Sequence, residues 1–328
     1  MDPVRIKPPL MSGIFTRMGI YLIAGVFFII GITVSPNFLT RQNILNIFWG
    51  VSILGLVACG MGFVTYSGHF ADLSVPAIVA FSGNIAISFL KMGLFPALLL
   101  GLAAGMIIGV LNGVIVGYLR ANPILWTIAV QIFMEGLQRF LWGNLQIYPD
   151  SEPGTPGSIF IRLFGMSVLG IPIPIIIMIV LFVIFQVVMK RTKFGMQTKL
   201  IGSSYLAAKY SGINVRGTVF FVFLISSFTS SIAGIFMSSM SGIGAFYLGE
   251  GYDFRALTAI VIGGVMLNGG MGNMIGVLGG VLTIGIIVNI MTFLSMKFYQ
   301  QNIVTGLIFI IVVWVNTGLQ RKKGRIGE

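Results

Sequence analysis

The chain has 328 residues, of which 56% are hydrophobic and only 9% charged, with a mean hydropathy of +1.00. A soluble domain carries about 25% charged residues, so a soluble globular protein is excluded and an integral membrane protein is the reading. The formal net charge is +12, but the basic residues cluster at the ends of apolar runs, as orientation signals do, and a nucleic-acid partner is set aside.

Positions 18–40, 42–71, 92–119, 163–189, 217–249 and 256–296 each lack Lys, Arg, Asp and Glu. A helix needs about 20 apolar residues to cross the hydrocarbon. The runs are continuous, without the alternating short segments of an outer-membrane barrel, so the predicted fold class is an all-α polytopic membrane protein, a single transmembrane domain over 1–328. A lone Cys59 excludes an intrachain disulfide.

In chain order, Arg5, Lys7 and Arg17 precede the apolar run 18–34 as in a signal sequence. SPNFLTRQN follows where a small-residue cleavage site belongs, so an uncleaved first helix is predicted. Polar, Gly, Pro and Asn punctuation then predicts crossings over 44–65, 73–90, 95–118, 124–143, 171–189, 217–241, 255–267, 274–295 and 301–319, which makes ten. The eighth is short enough to be tilted, broken or only partly spanning. With the N-terminus inside, 14 basic residues lie inside: Arg5, Lys7, Arg17, Arg120, the six from Lys190 to Arg216, Arg321, Lys322, Lys323 and Arg325. Six lie outside, at Arg41, Lys91, Arg139, Arg162, Arg255 and Lys297. The bias places both termini in the cytoplasm of a cell bounded by this membrane, and the 144–170 loop outside.

GMIIGVLNGVIVG at 105–117 resembles GNMIGVLGGVLTIG at 272–285, and DLSVPAIVAFSG from 72 resembles DFRALTAIVIGG from 253. Five crossings separate the copies, which predicts two inverted-repeat halves with solute passing between them. Two readings of VIGGVMLNGGMGNMIGVLGG at 261–280 stand together: small residues for close helix packing at Gly272, Gly276 and Gly280, and an unwound turn at LNGGMGN between half-penetrating helices.

Charges inside the spans are scarce. Glu135 and Arg139 are four apart on one helix face, spacing for a structural ion pair. Asp72 sits where a carboxylate caps the third span, with substrate contact as the competing role. His69 has no second histidine or acidic cluster beside it, which argues against a metal site. The neutral polar and aromatic groups Trp49, Asn112, Asn122, Trp126, Gln131 and Asn268 join Asp72 as candidates for lining a path for an uncharged polar solute, against interhelical packing or an interfacial aromatic belt. No GxSxG, HExxH, Cys pair, dinucleotide fingerprint or phosphate loop is present, so the expectation is a protein without its own catalytic site.

KRTKFGMQTKLIGSSYLAAKYSGINVR at 190–216 holds six basic residues and no acidic one between two apolar runs. Ser203 and Ser204 are N-cap residues, Leu206 to Lys209 favour helix, and Gly212 is placed to end it, which predicts a two-turn amphipathic helix on the cytoplasmic face. So short a helix needs a surface to pack on. Its own loops, lipid headgroups drawn to the basic flanks and another protein all remain open.

RTKFG, IG at 201–202, AA at 207–208 and SGINV at 211–215 are similar to the central cytoplasmic loop of ribose- and arabinose-type ABC sugar permeases. The resemblance extends through SPNFLTRQNILNI, VACGM, SG with DLSV, GVLNGVIVG, ANP, GYDF and IVIGGVMLNGGMGNMIG in order, nearly the whole chain. It implies a permease dimer, of two copies or of paralogues, in the bacterial inner membrane. It further implies cytoplasmic ATPase subunits that hold ATP and magnesium while this chain binds no cofactor, and a periplasmic binding protein that delivers sugar. It implies ATPase coupling through Phe194, Gly195, Gly202, Ser203, Ser204, Ala207, Ala208 and Gly212. Departures are Ser203 to Leu206 where an acidic residue usually precedes the paired alanines, GHFADLSVP with His69 and Pro76, Trp126 in place of a smaller residue, and Arg255 after GYDF. They bear on the identity of the sugar and hint at a specialised ATPase or a heterodimer. The alternative from the residues alone is an ATP-independent channel or facilitator for small neutral solutes.

Overall fold

The computed structural model describes the backbone of residues 10–324 and the side chains of 19–314. Arg5, Lys7 and Arg325 lie outside the described residues, as do the side chains of Arg17, Arg321, Lys322 and Lys323. Helices stand at each predicted crossing: α1 Leu10–Val34, α2 Arg41–Tyr66, α3 Val75–Ser88, α4 Leu94–Asn112, α5 Pro123–Trp142, α7 Ile173–Arg191, α10 Val215–Ser241, α11 Tyr252–Ile262, α12 Met274–Phe293 and α13 Phe298–Gly324. Five of the helical segments, Arg41–Tyr66, Leu94–Tyr118, Ile173–Arg191, Val215–Ser241 and Met274–Phe293, are long and apolar enough to cross a membrane. The protein is thus an all-α polytopic membrane protein.

The predicted eighth segment, 255–267, is corrected to the eleven residues of α11, after which the chain unwinds until Asn273 caps α12. Between α5 and α7 the 144–170 loop contains α6, Pro156–Leu163, and a hairpin of β1 Ser167–Val168 with β2 Ile171–Pro172, none of it anticipated. The basic segment forms two helices rather than one: α8 Lys193–Ser203 and α9 Tyr205–Tyr210. A side chain caps many of the helix starts: Thr40, Asn122, Thr155, Thr192, Ser204, Asn214 and Asn273 each accept from a backbone N–H in the first turn. A helix N-terminus carries N–H groups with no intrahelical acceptor, and hydrocarbon supplies none.

Helices α2 and α10 form the centre and pack against each other. Every residue of α2 from Val51 to Tyr66 is buried. The buried face of α10 includes Ser226, Ser227, Thr229, Ser230, Ser231, Ser238 and Ser239 beside Val219, Val222, Phe223 and Phe236. Small residues let backbones approach, which is the main source of association where lipid competes with every apolar contact. The α3–α4 pair packs on α10, and the α11–α12 pair packs on α2. Gly105 and Gly109 of α4 meet Ser231 and Ser227 of α10, while Gly276 and Gly280 of α12 meet Gly263 and Ala259 at the end of α11. Both readings of the glycine-rich stretch hold, in different places: Gly276 and Gly280 are packing residues, whereas Gly272 has φ +128° and belongs to the unwound turn.

Helix directions follow from the contacts. The Leu73 N–H donates to Thr127 Oγ1 at 3.1 Å, the Ala77 N–H to Gln131 Oε1 at 2.8 Å, Asn84 to Gln138 Oε1 at 3.0 Å and Trp142 Nε1 to Ser88 Oγ at 3.1 Å. Each pair is 54 residues apart, so α3 and α5 run parallel in one register. Asn43 at the start of α2 exchanges hydrogen bonds with Asn289 near the end of α12, an antiparallel pair. Arg255 in the first turn of α11 reaches Asn302 in the first turns of α13, a parallel pair.

A candidate translocation core and coupling face

At the end of the bundle that carries the basic segment, three glycines from three loops meet. Gly68 follows α2, Gly202 lies in the last turn of α8, and Gly269 lies in the unwound turn after α11. A Cβ on Gly269 would stand 2.6 Å from Gly68 N and 2.8 Å from Gly202 Cα, and one on Gly202 would overlap the Tyr66 carbonyl oxygen. The Gly270 N–H donates to that same oxygen at 2.9 Å. No side chain fits at this junction, so α8 is seated directly on the α2–α3 and α11–α12 turns, and Gly68 and Gly269 have the positive φ values that glycine tolerates.

The eight coupling candidates divide into two groups. Phe194 packs inward against Phe63 at 6.1 Å between ring centroids, Gly195 lies against the backbone of Val188 and Met189, Gly202 is in the glycine junction and Ala208 is fully buried. Ser203, Ser204, Ala207 and Gly212 are exposed. Ser204 is the N-cap of α9 and accepts from the Ala207 N–H at 3.2 Å; Gly212, at φ +73°, follows the helix end at Tyr210. Around Ala207, the side chains of Tyr205, Leu206 and Tyr210 are exposed, with Tyr210 at 84%. About three turns of α8, held by the bundle, thus present about one turn and a half of α9 with its large apolar side chains uncovered.

Within the bundle, three of the seven path candidates come together. Asp72, fully buried, is not the N-cap of α3; Ser74 holds that position. The Asp72 carboxylate instead accepts from the Ser74 N–H at 3.1 Å, from Ser74 Oγ at 2.6 Å, from Asn112 Nδ2 at 3.4 Å and, through its other oxygen, from Ser226 Oγ at 3.0 Å. Asn112 also donates to Ser74 Oγ at 2.8 Å and accepts from Trp126 Nε1 at 3.0 Å. One carboxylate therefore ties together the α2–α3 turn, α4 and α10, and Asn112 extends the network to α5. The other four candidates stand apart. Asn122 caps α5, Gln131 belongs to the α3–α5 ladder, Asn268 is exposed beside the glycine junction, and Trp49 packs edge-on against Phe164 at 5.7 Å. His69 Nδ1 is paired with Ser67 Oγ at 2.9 Å, and among the described residues no group of three or more metal-ligating side chains is gathered. Glu135 and Arg139 form the expected ion pair at 2.8 Å, with the guanidinium lying over the Phe246 ring.

At the opposite end of α2, a cavity of about 500 Å³ opens between α2, α11 and α12. Its polar lining is Asn43, Asn46, Arg255, Asn289 and Thr292. Arg255 also borders a second cavity of about 550 Å³ between α11 and α13, together with Gln131, Glu250, Asp253 and Asn302. Apart from Arg255, noted only as a departure, and Gln131, none of these was a sequence candidate. Asn43 and Asn46, three apart in an apolar run and so on one helix face, were the signal that could have found the first cavity.

Residues 43–313 match the family described as "Branched-chain amino acid transport system / permease component". The chain is 35% identical over 317 residues to a ribose import permease protein of Bacillus subtilis (strain 168), covering 95% of each chain. It is 32% identical over 312 residues to an L-arabinose transport system permease protein of Escherichia coli (strain K12), covering 94% of this chain and 93% of that one. It is 32% identical over 306 residues to an L-arabinose ABC transporter permease protein of Azospirillum brasilense, covering 92% and 87%. No solved structure matches. A multi-helix bundle built on small residues, a family match over most of its length and relatives aligned end to end lead to one conclusion: the chain belongs to this family of ABC-transporter membrane permeases.

Proposed function

We propose that this chain is the membrane-spanning subunit of an ATP-driven importer for a monosaccharide or a similar small polar solute. The relatives are permeases for ribose and L-arabinose, and the amide-rich cavity suits hydroxyl groups. A periplasmic binding protein delivers the solute, two cytoplasmic ATPase subunits supply the work, and a second permease copy or a paralogue completes the membrane part. Ten helices cross the inner membrane with both termini in the cytoplasm. The two halves are inverted repeats: in each, a short helix and its glycine-rich partner, α3–α4 or α11–α12, pack on one long central helix. Alternating access is rocking of these halves.

The observation that carries the reading is the contrast between α8 and α9. Force applied to α9 passes into α8, which is seated without intervening side chains on the turns that begin α3 and follow α11. Tyr205, Leu206, Ala207 and Tyr210 form the face gripped by the ATPase, Ser204 and Gly212 bound the helix, and Phe194, Gly195, Gly202 and Ala208 transmit. Asp72, Asn112 and Trp126 anchor the core around which the path opens.

The test is copurification. Ala207→Glu is the informative substitution, since Ala207 is exposed while Ala208 is fully buried. It should abolish recovery of the ATPase with the permease and ATP-driven uptake, with membrane insertion and thermal stability unchanged. ATP-driven uptake retained at the wild-type rate rejects the proposed grip. Solute flux in liposomes from a permease that never brings an ATPase with it supports a channel instead.

A further inference from the structure

The geometry points to an anionic, carboxylate-bearing sugar as the solute of the cavity beside Arg255. The inference rests on the importer reading for the passage of solute, and on Arg255 for its charge.

Arg255 is only 8% exposed, yet its Nε is buried without any hydrogen-bond partner. Its single side-chain partner is neutral, Asn302 Oδ1, to which Nη2 donates at 3.1 Å. The rings of Tyr252 and Phe298 lie 5.9 and 5.4 Å from the guanidinium carbon. Among the described residues the one ion pair in the molecule is Glu135 with Arg139, so no carboxylate neutralises Arg255. A guanidinium stays protonated in any protein environment, and burying one without an anion is among the costliest arrangements a chain can hold. By contrast every oxygen of the buried Asp72 carboxylate is engaged. Of the buried side-chain atoms left without a partner among the described residues, Arg255 Nε is the one that belongs to a charged group, and Arg255 borders a void.

That void selects the anion. The cavity between α2, α11 and α12 has the volume of a small-ligand site. It is lined by Asn43 and Asn289, which are hydrogen-bonded to each other, and by Asn46 and Thr292, whose remaining hydrogen-bonding capacity suits hydroxyls, and it has no acidic lining residue. On the other side of Arg255 stand Glu250 and Asp253, which line the second cavity and repel an anion from it. A polyol seated in the first cavity meets polar side chains along its hydroxyls and Arg255, one of the lining residues, at one end. Planar, fork-like donors match carboxylates better than they match a hydroxyl. Arg255 is in this sense a specificity-determining residue.

The test uses the permease, copurified with its ATPase, in nanodiscs of neutral phosphatidylcholine, with D-glucuronate and D-glucose as probes, binding being followed by saturation-transfer NMR. Wild type should prefer glucuronate by about tenfold or more, the scale of a charge-assisted hydrogen bond. Arg255→Lys, which keeps the charge and loses the planar fork, should keep only part of that preference, and Arg255→Gln should reduce it to about one without changing the melting temperature by more than a few degrees. Equal binding of both probes, no binding of glucuronate, or a preference that survives Arg255→Gln overturns the inference. The same holds if the preference vanishes when phosphatidylglycerol replaces phosphatidylcholine, because a lipid phosphate is then the resident anion. Failure of the importer reading shows separately, as absence of the ATPase from a preparation that still binds glucuronate.

Discussion

Asp72 and Arg255 occupy comparable places, each at the start of a short helix in one half of the molecule, and they are treated in opposite ways. Asp72 is enclosed by donors from three segments and borders no cavity described above; Arg255 has one neutral acceptor, an orphaned Nε and a cavity on either side. A buried charge whose demands are met by its own chain works as a structural tie. One whose demands are left open is held ready for something the chain does not contain.

The largest expected effect tests the first half of that contrast. Asp72→Leu strands the Ser74 amide and the Ser226 and Asn112 donors in a dry core, and should cost about 3 kcal/mol, read as thermal unfolding of the purified permease. Asp72→Asn, which preserves an acceptor, should recover more than half of that loss. A neutral result for Asp72→Leu removes the tie. Next comes the glycine junction: Gly202→Val forces α8 away from the Tyr66 carbonyl and should cost about 2 kcal/mol. Here the sharper readout is ATP hydrolysis that continues without uptake, since α8 can then move without the turns it sits on. Gln131→Leu, which unpairs the Ala77 N–H, should cost about 1 kcal/mol and, as one rung of a ladder, leave the parallel α3–α5 arrangement intact. The smallest effect is at Arg255. Arg255→Met removes a poorly satisfied buried charge for an apolar side chain of similar length and should be neutral or stabilising by up to about 1 kcal/mol in the absence of solute. A loss as large as that of Asp72→Leu would mean that Arg255 is a tie as well.

The helical elements were largely legible, because each depends on residues within a few positions of one another. The Ser204 cap, the stop at Gly212 and the unwinding at LNGGMGN are local chemistry, and they stand where the residues put them. Helix α8 was missed because Lys193, Gln197 and Lys199 give it no apolar face of its own, and its apolar anchor, Phe194 on Phe63, lies across 131 residues of chain. Asp72 read as a cap for the same reason: its partner Ser226 is 154 residues away. Trp49, Asn122, Gln131 and Asn268 are polar or amphipathic groups in greasy surroundings, which marks them as constrained without saying by what.

Hydrophobic run length determined by itself that this is a membrane protein and where its long apolar helices lie, since burial in lipid is decided one segment at a time. Only the tertiary structure decided which polar groups are spent on one another and which are left over, because hydrogen bonds between helices join residues far apart in the chain. The unmatched guanidinium of Arg255 is visible only once every other acceptor within reach has been accounted for.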